Sequence, residues 1–100
     1  MHVISRKRIK QAYAKHGEWE ASLATWYKVA KAAAWDSFDD VRKSWRNSDP
    51  VGTCVVFDIA NNRCRLIAYI NYHSKTVFIL HVLSHAEYDR GAWKNDCAGA

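Results

Sequence analysis

Cys54-Val-Val-Phe57, Arg65-Leu-Ile-Ala-Tyr-Ile-Asn-Tyr72 and Thr76-Val-Phe-Ile-Leu-His-Val-Leu83 are three runs dense in β-branched and aromatic residues, the composition of strands. Asn61-Asn62 and His73-Ser74-Lys75 lie between them and carry hairpin turn chemistry, because Asn tolerates the left-handed backbone that tight antiparallel connections need. The three runs therefore read as an antiparallel meander. Immediately after them, Ser84 is followed three residues later by Glu87, which is a capping box and predicts a short C-terminal helix.

Before Thr53 the apolar period is helical. Ile9, Ala12, Tyr13 and His16 recur at helical spacing up to Gly17, a candidate C-cap. Trp19, Leu23, Trp26, Tyr27, Ala30 and Ala34 mark one face of a second helix, joined to the first by so short a link that the two should lie antiparallel. Ser37 three residues before Asp40, then Phe38, Val41 and Trp45, predicts a third. Pro50 and Gly52 close the helical half, and Met1 to Ser5 reads as a short N-terminal strand. The expectation is one α+β domain over residues 1–100, since 100 residues cannot hold two cores. Thirteen aromatics, five of them Trp, supply large apolar area for so short a chain.

Net charge is +5, and it is lopsided: ten basic against six acidic residues up to residue 50, then five against four. Arg6, Lys7, Arg8 and Lys10 head the excess and suit phosphates or an acidic partner as readily as a solvated helix face. Three cysteines, Cys54, Cys64 and Cys97, in a chain without a signal-like start are expected to be isolated, reduced thiols in a cytoplasmic protein. The most apolar run, Val77 to Leu83, is too short to span a membrane.

Metal binding is the first chemistry to weigh, because His81-x-x-x-His85 and the cysteines offer ligand types. There is no C-x-x-C pair, and the two histidines straddle a strand end rather than sharing a helix face, so no metal and no cofactor are expected. The second constellation is Arg65, His81, His85, Tyr88 and Asp89. Cleaving RNA through its own 2′-hydroxyl needs a base, an acid and a cation for the phosphorane charge. Imidazole, guanidinium and tyrosine supply those functions. The plainer account has His85 capping the helix, Tyr88 packing on the sheet and Asp89 favouring the helix dipole.

Val56-Phe-Asp-Ile-Ala-Asn-Asn-Arg-Cys-Arg-Leu-Ile-Ala68 followed by Val77-Phe-Ile-Leu-His-Val-Leu-Ser-His-Ala-Glu-Tyr-Asp89 resembles the HigB-type toxins of bacterial type II toxin–antitoxin systems. The carriers of the resemblance are Asn62-x-x-Arg65-Leu66 and, a strand length later, Ser84-His-x-Glu-Tyr-Asp89; Met1 to Ser5 and the Trp26 to Trp35 helix join them, and the last ten residues fall outside. The resemblance implies a RelE/ParE-like microbial ribonuclease fold, with helices on one side of a small antiparallel sheet. It implies an mRNA interferase that cuts transcripts in the ribosomal A site through the 2′-hydroxyl and without metal. Arg65 would stabilise the scissile phosphate, His85 would serve as acid or base, Tyr88 would orient or stack on substrate, and Asp89 would support the site or assist proton transfer. The implied partners are mRNA, the ribosome and a cognate antitoxin of helix-turn-helix type.

Lys43 and Arg46 are candidate RNA-backbone clamps by charge and position, joined by Arg63 and His81. Relatives often carry arginine where this chain has Leu80. His81 should not simply replace it, because adjacent strand residues point to opposite faces, so the cation should come from Arg63, Arg65 or Arg90. Two other readings stay open: a non-catalytic RNA- or protein-binding module working through the N-terminal basic cluster, and a gyrase-inhibiting toxin of the same superfamily.

Overall fold

In the computed structural model, which describes residues 1–97, the chain runs β1 (His2–Ile4), α1 (Arg6–Lys15), a 3₁₀ turn at Gly17–Trp19, α2 (Glu20–Ala32), α3 (Phe38–Ser44), β2 (Ser48–Val51), β3 (Cys54–Ile59), β4 (Cys64–Asn71), β5 (Thr76–Ser84), α4 (His85–Arg90) and a 3₁₀ segment at Ala92–Cys97. The predicted helices, hairpins and capping-box helix are present. The sheet is larger than predicted: it is five-stranded and mixed, in the order β1-β5-β4-β3-β2, rather than a three-strand meander plus an N-terminal strand.

The strand missing from the sequence reading is β2, which contains Pro50 and pairs antiparallel with β3. Proline cannot donate to a ladder, so it is tolerated only at a sheet edge, and β2 is one of the two edges of this sheet. The other edge, β1, runs parallel to β5, Val3 opposite Val77. Between β3 and β4 the chain turns through Ala60, Asn61 and Asn62, all at positive φ (56°, 55° and 68°), the left-handed geometry for which Asn is suited.

The sheet has an apolar layer on each face. Cys64, Leu66, Ala68 and Ile70 of β4 join Ile9 and Ala12 of α1 and Leu23, Trp26 and Ala30 of α2 in the main core, with Phe57 at its centre. Trp26 meets Phe57 edge-on at 5.2 Å. Ile67, the intervening β4 residue, faces the other way and packs with Cys54, Val56, Trp93 and Cys97, as the two-residue period of a strand requires. The 3₁₀ segment thus roofs the second face.

Cys54 and Cys97 are joined in a disulfide across 43 positions, while Cys64 is a free, buried thiol. This corrects the expectation of three isolated cysteines. The C-terminal segment folds back onto the start of β3, where Thr53 N–H donates to the Cys97 carbonyl at 3.1 Å, and this brings the two sulfurs together. Among the described residues no helix is long and apolar enough to cross a membrane.

Trp26 is fully buried, yet its indole N–H finds no acceptor among the described residues. A buried unpaired donor costs about 1–3 kcal/mol. Trp26→Phe removes that donor and keeps an aromatic body, whereas Trp26→Ala opens a cavity costing about 3–5 kcal/mol. Urea unfolding should therefore place Trp26→Phe within about 2 kcal/mol of the native chain and far above Trp26→Ala.

Candidate active site

The candidate residues gather where β4, β5 and α4 meet. Arg65 stands on β4 opposite Leu83 of β5. Its Nε lies 2.9 Å from Asp58 Oδ1 on the neighbouring strand, the two side chains being 12% and 22% exposed. Its Nη1 donates to the Asn62 carbonyl at 2.8 Å. The guanidinium carbon lies over the Tyr88 ring, 5.1 Å from its centroid, a cation–π arrangement. Three contacts from three elements therefore fix one cation. Burial pushes the Asp58 carboxyl above its ordinary value, Arg65 opposing that shift and Asp49 adding to it.

Tyr88 is presented by α4, whose start is set by sequence. Ser84 Oγ accepts from Glu87 N–H at 3.3 Å and Glu87 Oε1 accepts from Ser84 N–H at 3.0 Å, the two halves of a capping box. At the other end Gly91, at φ 76°, ends the helix in the left-handed conformation. His85 opens this six-residue helix, and its Nδ1 lies 2.8 Å from Asp89 Oδ2. With Asp89 as acceptor the Nδ1 of the ring carries a proton, and Nε2 is the nitrogen not engaged by Asp89. The cap is Ser84, not His85, while Tyr88 does pack on the sheet's second face.

The remaining candidates are more scattered. His81 is paired, Nε2 2.6 Å from Asp96 Oδ2. Ile67 opposes His81 and Ala68 opposes Ile79, so Leu80 is an extra residue in β5. At this bulge Leu80 packs in the apolar cluster with Trp93, while His81 lines a cavity with Arg8, Gln11 and Lys15 of α1 and reaches Asp96. Arg46 lines a cavity of about 430 Å³ that also reaches Asp58, Asn61 and Asn62. Lys43 shares a separate surface depression with Asp39, Arg42 and Arg46, and Arg63 is exposed on the β3–β4 turn. Arg90, the last residue of α4, is also exposed. The sequence reading missed Asp58, Trp93 and Asp96. An Asp on the far side of the β3–β4 turn from Arg65 carries no spacing signal until the hairpin register sets Asp58 beside Arg65.

Burial pushes the Cys64 thiol up to about 12, so it stays protonated and is not a nucleophile. Among the described residues no group of three or more His, Cys, Asp and Glu could hold a metal ion.

Comparison with known proteins gives this arrangement its context. The profile of the HigB toxin family, described as the RelE-like toxic component of a toxin-antitoxin system, matches residues 19–91. The chain belongs to the HigB toxin family. An mRNA interferase HigB of Escherichia coli O6:H1 is 31% identical over 93 residues, covering 90% of both chains. The mRNA interferase toxin HigB of Escherichia coli strain K12 and the mRNA interferase HigB of Shigella flexneri are each 29% identical over 92 residues, covering 89% of this chain and 88% of theirs. The HigB match takes in Arg65 and all of α4, and it ends where the 3₁₀ segment begins.

The capping box of this HigB family member makes a pH-dependent prediction. Hydrogen bonds from Ser84 hold the Glu87 carboxyl below its ordinary value. A lowered folded value stabilises the fold above the ordinary carboxylate pKa and stops doing so as pH falls through the lowered one. Glu87→Gln should be less stable than the native chain at pH 7, and the two should converge in acid. Ser84→Ala should cost about 1 kcal/mol at pH 7 by urea unfolding.

Proposed function

We propose that this HigB-family toxin, an mRNA interferase, cuts messages on the ribosome by attack of a 2′-hydroxyl on the adjacent phosphorus, using its own side chains. The single observation that carries the reading is Arg65 held over Tyr88 beside Asp58, with His85 on the same short helix as Tyr88. A base takes the 2′-hydroxyl proton as the O2′–P bond forms. The P–O5′ bond then breaks, and the leaving oxygen takes a proton from an acid. Arg65 stabilises the charge on the phosphorane. His85, oriented by Asp89, moves a proton at Nε2, and Tyr88 orients or stacks on a base. The products are a 2′,3′-cyclic phosphate and a 5′-hydroxyl.

Lys43, Arg46 and Arg63 contact the RNA backbone through charge, which adds affinity but no sequence choice. His81 reaches RNA only when it leaves Asp96. The setting is the cytoplasm, where messages are translated. An antitoxin is the partner that the toxin's family implies; a helix-turn-helix protein that covers cationic surface would compete with RNA for the same charges.

Induction of the toxin should produce mapped breaks within translated messages, and growth arrest with intact messages would refute the activity. Arg65→Ala, His85→Ala and Tyr88→Phe should each lower the cleavage rate by about 10²-fold to 10³-fold and relieve toxicity with the fold intact. Unchanged arrest in all three would remove the site assignment.

A further inference from the structure

Ala92–Cys97 lies beyond the residues that the family profile matches, and it touches two candidate site residues at once. Trp93 is buried, its ring stacked on that of Tyr88 at 5.0 Å and 14°. Its indole N–H donates to the Tyr88 carbonyl at 2.9 Å. Asp96 holds His81. Leu80 packs against the same apolar cluster as Trp93 and Cys97. The segment is fastened at its far end by the Cys54–Cys97 disulfide.

We propose that Trp93 is a positioning residue for Tyr88, and that Ala92–Cys97 is a brace that fixes the Tyr88 ring beneath Arg65. The inference rests on the reading of Arg65 and Tyr88 as site residues. The Tyr88 ring meets both the Arg65 guanidinium and the Trp93 indole, while α4 itself has only six residues and no buried one. A helix that short does not hold a ring in place by its own packing. The indole supplies both a flat surface and a backbone hydrogen bond, so it fixes the ring's tilt and the end of the helix together. The disulfide keeps the indole there.

The test is single-turnover cleavage of a defined message on ribosomes, run across toxin concentrations so that maximal rate and half-saturation separate. Trp93→Ala should lower the maximal rate by about 10-fold to 100-fold with half-saturation unchanged. Trp93→Phe, which keeps a stacking ring, should recover most of the loss. Adding Trp93→Ala to Tyr88→Ala should cost nothing more, because both act through one ring. Cys97→Ser should lower the rate in the same direction. A Trp93→Ala protein with the native maximal rate, losses that multiply in the double variant, or an unaffected Cys97→Ser would overturn the proposal.

Should the native protein cut no message, the activity reading fails, and the brace is judged on its own by NMR of the purified toxin. Tyr88 ring protons should lie upfield through stacking and move downfield in Trp93→Phe and Trp93→Ala. Tyr88 resonances identical in all three proteins would overturn the brace.

Discussion

The arrangement turns on one cation that cannot swing freely. Arg65 is tied at Nε to a carboxylate and at Nη1 to a backbone carbonyl, and it lies over an aromatic ring. A free arginine samples many rotamers, and ordering it on a phosphate costs side-chain entropy at the moment of binding. Here that ordering is done by the fold. The two hairpins bring Asp58 and Leu83 to either side of Arg65, and the capping box starts α4 where Tyr88 can reach it. The sheet is therefore best understood as the frame that keeps this guanidinium and α4 in register.

Much of this was legible in the sequence because the signals were local. Hairpin turns show themselves as Asn61-Asn62, helix starts as Ser84 with Glu87, and helix faces as Leu23, Trp26 and Ala30. Residues far apart in sequence but facing each other were not legible. Nothing in the chain around Asp58 says that it will pair with Arg65, and Pro50 argues against the strand it sits in until the edge position is known. The bulge at Leu80 is a misfit of register between two strands, and the pairing of His81 with Asp96 beside it carries no local signal. Three cysteines were expected to stay apart, and only the return of the C-terminal segment onto β3 brings Cys54 to Cys97.

Two apolar layers divide the labour. The helix-side core contains the largest buried side chains and sets stability, whereas the smaller layer beneath Ala92–Cys97 adjoins the site. Leu80 packs in that smaller layer beside Trp93 and Cys97. In the proposed site Arg65 is the central cation, and Arg63 and Arg90 are exposed nearby in sequence. The candidate residues Arg65, His85 and Tyr88 lie within the span that the family profile matches, and Ala92–Cys97 follows it.

The most direct measurement is a structure of the toxin bound to a message fragment whose cleavage-site 2′-hydroxyl is methylated, so that the linkage is held uncut. The account predicts the Arg65 guanidinium and the His85 imidazole within hydrogen-bonding distance of that one linkage, with a base against Tyr88. A linkage bound by only one of them, or seated elsewhere on the protein, would contradict it.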